Sequence, residues 1–183
     1  MLEDIGKQSW IKQNIEYAKS ITKYIYNHSW VLNLMRKNIE NMELLRPVVT
    51  RFATHFLTLQ SMVSEAQNLQ KMFASDEWNA SKWTHKQDGK DTKRKVNDPT
   101  FWKKATKIVK IAEPLVKVLR LVDGEKLATG YIYEAMHQAK DQIRATYKDR
   151  VTKYGPIWDI IDRRWNNQLH RLIHATVYFL NPT

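Results

Sequence analysis

His170 and His174 stand four residues apart, with Asp162 eight residues before the first. On a helix that spacing places both imidazoles on one face, where they can ligate one metal ion. A metalloprotease pattern would also need a glutamate beside the first histidine to deprotonate the bound water. Arg171 stands there instead, and a cation opposes metal binding. Hydrogen-bonded, partly buried histidines are the simpler reading. Asp123, Asp159 and Asp162 raise a second option, a carboxylate set for magnesium. Asp162 is followed at once by Arg163 and Arg164, which favours ion pairing, and Asp123 precedes Gly124, where turn chemistry accounts for it. Gly124 and Gly130 are isolated and form no phosphate-cradling loop. No serine has the context of a nucleophile elbow. No catalytic constellation, metal site or cofactor is therefore expected.

The elements that carry these residues read as helices. Five glycines and five prolines in 183 residues is sparse punctuation, which suits long helices better than many short strands. Ile5, Ile11, Ile15, Ala18, Ile21 and Ile25 recur at mostly helical spacing and predict a helix over 2–27. Ser29 is a candidate cap for a second helix carrying Val31, Leu32, Leu34 and Met35. Arg46-Pro47 marks a break. A third helix, from about Val49 to Phe73, has the stripe Phe52, Phe56, Leu59, Val63, Ala66, Leu69 and Phe73. Asp98-Pro99 is a strong start for a fourth, an acidic cap followed by proline at the first helical position. Its stripe is Ile108, Ile111, Leu115, Leu119 and Val122, and Pro114 predicts a kink. A fifth helix is predicted over 129–148, and a sixth over 157–180 after Gly155-Pro156. Strand alternation is absent. The expectation is an all-α bundle of about six helices forming one domain over 1–183.

Between the third and fourth helices lies SDEWNASKWTHKQDGKDTKRKVN, residues 75–97, polar and glycine-containing. Ser75 can cap a short turn, and Trp78 and Trp83 are expected to pack back on the core. The remainder predicts a mobile polar loop.

Lys and Arg number 30 against 19 Asp and Glu, a net charge of +11, so the surface attracts polyanions. The candidate nucleic-acid contacts are the run Lys93, Arg94 and Lys95, the ridge Lys103, Lys107 and Lys110 on one helical face, and Arg163 with Arg164. Base stacking needs an exposed ring beside basic residues. Trp83, near Lys82 and Lys86, meets that condition best, and Phe52 after Arg51 is second. Trp10, Trp30, Trp102, Trp158 and Trp165 fall within predicted helices, where core packing is the expectation. There is no cysteine, which excludes disulfides and thiolate zinc sites. The first residues, MLEDIGKQSW, carry acids where a secretory signal has basic residues, and no apolar run is long enough to span a membrane.

Several longer phrases together resemble plant hAT-family transposases, the group containing the domain of unknown function 659. They are LEDIGK at 2–7, RPVVTRFATHFLTLQSM at 46–62, EPLVKVLRLVDG at 113–124, GYIYEAMHQAK at 130–140 and IWDIIDRRWNNQLHRLIHATVYFLNP at 157–182. The resemblance implies the helical insertion region of an RNase H-like transposase, cut on both sides, without the catalytic carboxylates or the Cys-x-x-His element that precedes the family's LEDIGK phrase. It also implies a role for Phe52. Family members carry Thr-Arg-Trp where this chain has Thr50-Arg51-Phe52, and that tryptophan is placed near distorted DNA ends; periodicity alone makes Phe52 a core ring. The resemblance implies a nuclear protein; without it a cytoplasmic one is expected, and in neither case a secreted one. The implied protein is non-catalytic and retains a capacity for salt-sensitive, non-specific DNA binding or for self-association, with itself or a transposase-like partner. The alternatives are a helical protein-interaction module or a gene-model fragment without a role of its own.

Overall fold

A computed structural model describes residues 1–39, 44, 53–122 and 129–168, with 129, 130 and 166–168 as backbone alone. The fold is all-α, and among the described residues no strand forms. The described chain makes ten α-helices and one 3-10 turn. Where one domain over 1–183 is expected, the chain divides into two compact units: Gln8–Val109, and Met1–Lys7 with Lys110–Thr183.

The unit Gln8–Val109 is built around α2 (Ser9–Asn27), which packs against α3 (Ser29–Asn38), α4 (Thr54–Ser64) and α7 (Gln87–Val96). Ile11, Ile15, Ala18, Ile21 and Ile25 are buried along one side of α2, as the periodicity predicts. The single helix predicted over 2–27 is instead two, α1 (Leu2–Gly6) and α2, because Gln8 takes an extended conformation between them (φ −59°, ψ 131°). Helix α3 starts one residue earlier than a Ser29 cap would place it. His28 is the extended preceding residue, and no side chain caps this end.

The helix predicted to run to Phe73 breaks at Glu65, giving α4 and α5 (Ala66–Ala74). Ser64 Oγ donates to the Ser61 carbonyl (2.9 Å), a local bond that competes with the helical ladder at that point. The break shifts the stripe. Leu59, Leu69 and Phe73 are buried as expected, Met62 joins them, and Val63 and Ala66 are left half-buried. The part of the predicted helix before Ala53 lies outside the described residues.

The segment 75–97 is not a loop. It folds as α6 (Asp76–Asn79), a 3-10 turn (Lys82–Thr84) and α7. Ser75 does cap: its Oγ accepts from the Trp78 backbone N–H (3.2 Å). Trp78 is fully buried, edge-on to Phe73 with ring centroids 4.5 Å apart. The buried face of α7 is Gly89, Thr92 and Val96. Thr92 satisfies its hydroxyl on the Asp88 carbonyl (2.8 Å). That face carries one apolar side chain of any size, so apolar periodicity cannot find it.

Helix α8 (Pro99–Val122) begins at Asp98-Pro99 as predicted, with Asp98 Oδ1 accepting from the Thr100 N–H (2.8 Å), and it continues through Pro114. Its first part belongs to the unit Gln8–Val109. There Trp102 Nε1 donates to the Val96 carbonyl (2.6 Å) and Asn14 Nδ2 to the Phe101 carbonyl (3.2 Å).

The other unit contains α1, the rest of α8, α9 (Thr129–Thr146) and α10 (Val151–Gln168). Leu2, Ile5, Ile111, Leu115, Met136, Ile143, Ile157, Ile161 and Trp165 are buried there. The predicted stripe of α8 fails at its end: Leu119 is half-buried and Val122 exposed, while Val118 is buried. Helix α10 starts before Gly155-Pro156, not after it. The reversal between α9 and α10 falls on Lys148 and Asp149, both at positive φ (50° and 57°). The Lys148 N–H bonds the Ala145 carbonyl (2.9 Å) and the Asp149 N–H the Arg144 carbonyl (3.2 Å). This is a Schellman closure with lysine where glycine is usual.

Candidate nucleic-acid interface

Residues 82–95 carry six lysines and arginines against two aspartates. Folding distributes them over the 3-10 turn and α7, and the anchor is Gly89. A Cβ at Gly89 would collide with the Trp83 backbone carbonyl and come within 2.9 Å of Tyr24 Oη. Only glycine lets α7 lie this close to the turn, so Gly89 sets where Trp83 and its neighbouring lysines sit. Tyr24, buried beneath, has its phenol pushed up to about 12, first by burial and then by the Asp88 charge.

Trp83 is half-buried rather than packed in the core. The His28 ring meets it edge-on with centroids 4.3 Å apart. His28 Nδ1 donates to the Tyr24 carbonyl (2.7 Å), which leaves Nε2 facing Asp88 at 3.9 Å. The Lys86 ammonium lies 4.3 Å from the Trp83 ring centroid and that of Lys82 5.3 Å away. The ring predicted to stack on a base is therefore already engaged by two cations and an imidazole. It holds positive charge in place.

The basic run does not converge. Lys93 donates to Asn79 Oδ1 (3.0 Å), Arg94 pairs with Asp91 (2.9 Å), and Lys95 reaches Ser20 Oγ (2.9 Å) and lies over the Tyr17 ring (5.5 Å). On α8, Lys103 and Lys110 are exposed and Lys107 is half-buried. Arg163 is exposed on α10, whereas Arg164 makes a forked pair with Asp4 (2.7 and 3.1 Å) and is committed to holding α1 on α10. The hydrogen bond from Arg164 keeps the Asp4 carboxyl well below the usual carboxylate range. Asp162 is ion-paired as expected, but with Lys140 (2.7 Å) rather than with its neighbouring arginines. Arg51, Phe52, Asp123, His170 and His174 lie outside the described residues.

No known protein family, no curated protein and no solved structure matches this chain.

Beside Trp83 runs an open groove of about 830 Å³. One wall is α3, through Trp30, Asn33 and Lys37; the other is α6 and the 3-10 turn, through Glu77, Ser81, Lys82 and Trp83. Trp30, expected in the core, is 40% exposed. The signal was present in the sequence. On a helix whose buried face is Val31, Leu34 and Met35, residues 30, 33 and 37 fall together to one side of that face. Lys37 and Glu77 face each other at 3.5 Å, both largely exposed (70% and 58%), a pair of little energetic weight. The groove thus offers an accessible indole, an amide, a hydroxyl and two ammonium groups beside one carboxylate.

Among the described residues no three histidine, aspartate or glutamate side chains gather as a metal site. No helix among them is long and apolar enough to cross a membrane.

Proposed function

We propose that this chain is a transposase-derived helical region without catalytic chemistry, which binds nucleic acid non-specifically through the basic surface of the 3-10 turn and α7. The observation that carries the reading is the cluster around Trp83, where Lys82 and Lys86 are held over one indole and Lys90 is exposed on the helix that follows. The +11 charge supplies long-range attraction. The quoted phrases resembling hAT transposases supply the origin and the nuclear setting. Affinity for a mixed-sequence duplex should fall steeply with salt. A logarithmic slope of about −3 to −5 corresponds to roughly four or five neutralised phosphates. Replacing Lys86 and Lys90 together by alanine should lower that slope by about two and weaken all duplexes alike. Salt-insensitive binding, or strong preference for one sequence, would contradict the proposal.

A second reading, a helical interaction or self-association module, has its own observation. Leu121, Val122, Tyr131 and Val151 are 40%, 41%, 56% and 64% exposed. Sedimentation velocity decides it: concentration-dependent dimerisation without DNA binding would favour this reading over the first.

A further inference from the structure

We infer that the groove between α3 and the 3-10 turn takes an unpaired base of single-stranded nucleic acid, with Trp30 as the stacking ring. The inference rests on the nucleic-acid reading above and names the strand state and the residues of the site. Trp83 cannot serve as an open platform, because Lys82, Lys86 and His28 already surround its ring. Trp30 has no such ring contact among the described residues and is 40% exposed on the groove wall. An indole in a groove of about 830 Å³ accommodates a flat heterocycle, which a duplex would not present.

Charge selects the same ligand. Lys37 and Lys82 line the groove with Trp30, and the Lys86 ammonium lies 4.3 Å from the ring centroid of Trp83, which also lines it. These cations are placed to meet the phosphates on either side of a stacked base. Glu77 is the opposing charge, and it swings away at little cost because its pair with Lys37 is long and solvated. Asn33, between Trp30 and Lys37 on the same side of α3, offers both a donor and an acceptor to a base edge. Stacking is tolerant of sequence, so a run of any one base should bind.

The test uses the full chain with a short fluorescent oligothymidylate and a duplex of equal length at low salt. Trp30→Ala should weaken oligothymidylate binding about tenfold or more and quench less indole fluorescence, while leaving duplex binding within about twofold. Trp30→Phe should restore most of the loss. Circular dichroism should be unchanged, since Trp30 is outside the buried set. If Trp30→Ala leaves oligothymidylate and duplex binding both intact, or weakens both equally, the groove inference falls and the general nucleic-acid reading stands. If neither nucleic acid binds the unsubstituted chain, both fall. If Trp30→Ala instead dissolves a dimer seen by sedimentation and leaves oligonucleotide binding untouched, the groove is a self-contact and the inference is overturned.

Discussion

At the residue scale, Tyr147 shows how burial converts into pH dependence. It is 6% exposed, and that burial pushes its phenol up to about 12, against an ordinary value near 10. Below about pH 10 the phenol is neutral in both folded and unfolded chains, and its contribution to stability is complete. Between about 10 and 12 the unfolded chain ionises first, so stability falls as pH rises. Tyr24 acts in the same direction. The unfolding free energy read from urea titrations should therefore drop across this window by an amount on the order of 2–3 kcal/mol per phenol, and Tyr147→Phe should flatten the drop. A midpoint that holds constant up to pH 12 would show that the phenol is not shielded. The forked Asp4–Arg164 pair behaves oppositely. Its contribution is complete above the ordinary carboxylate range and is lost progressively as pH falls from there through the depressed value in the folded chain.

At the element scale, two positions reverse the usual expectation for glycine. In an exposed helix, Gly→Ala stabilises by about 1 kcal/mol. At Gly89 in α7 the new methyl would strike the Trp83 carbonyl, backbone that cannot step aside cheaply. Gly89→Ala should cost about 1–3 kcal/mol in chemical denaturation and shift Trp83 fluorescence as the 3-10 turn moves. An unchanged midpoint and spectrum would mean that α7 does not lean on the turn. At Lys148 the reasoning inverts. A lysine at φ 50° occupies the position of the α9 closure that glycine takes most easily. Lys148→Gly should raise stability by about 0.5–1 kcal/mol, read from the thermal midpoint, because the left-handed strain relieved exceeds the chain entropy lost.

At the scale of the whole molecule, the described cations are committed to different elements within their own units. Lys95 points to α2, Lys93 to α6, Arg164 is used inside its own unit, and Lys103 and Lys110 stand on α8. Such a distribution attracts polyanions broadly, and it predicts that no single charge removal abolishes duplex binding. Lys93→Ala, for example, should weaken it by less than about threefold in a titration at low salt, since one phosphate contact among several is lost. Loss of all binding from that substitution would locate the interface at one focus instead.

The sequence by itself determined the all-α class and most of the core. Apolar residues spaced three and four apart on α2 (Ile11, Ile15, Ala18, Ile21 and Ile25), and the Asp98-Pro99 start of α8, act through neighbours on the same helix, so local rules capture them. The Ser75 cap is local in the same way. What the tertiary structure decided depends on partners remote in the chain. The face of α7 is made of a glycine and a threonine and shows itself only against the 3-10 turn and α2. Arg164 finds Asp4 across 160 residues, which no neighbouring pattern announces. Trp30 is left partly exposed because α3 buries a different side, and Trp83 is engaged by His28, between α2 and α3, and by Lys86, just before α7. Periodicity reports which face of a helix is apolar; which polar faces meet, and which aromatic is left open between them, is set by packing.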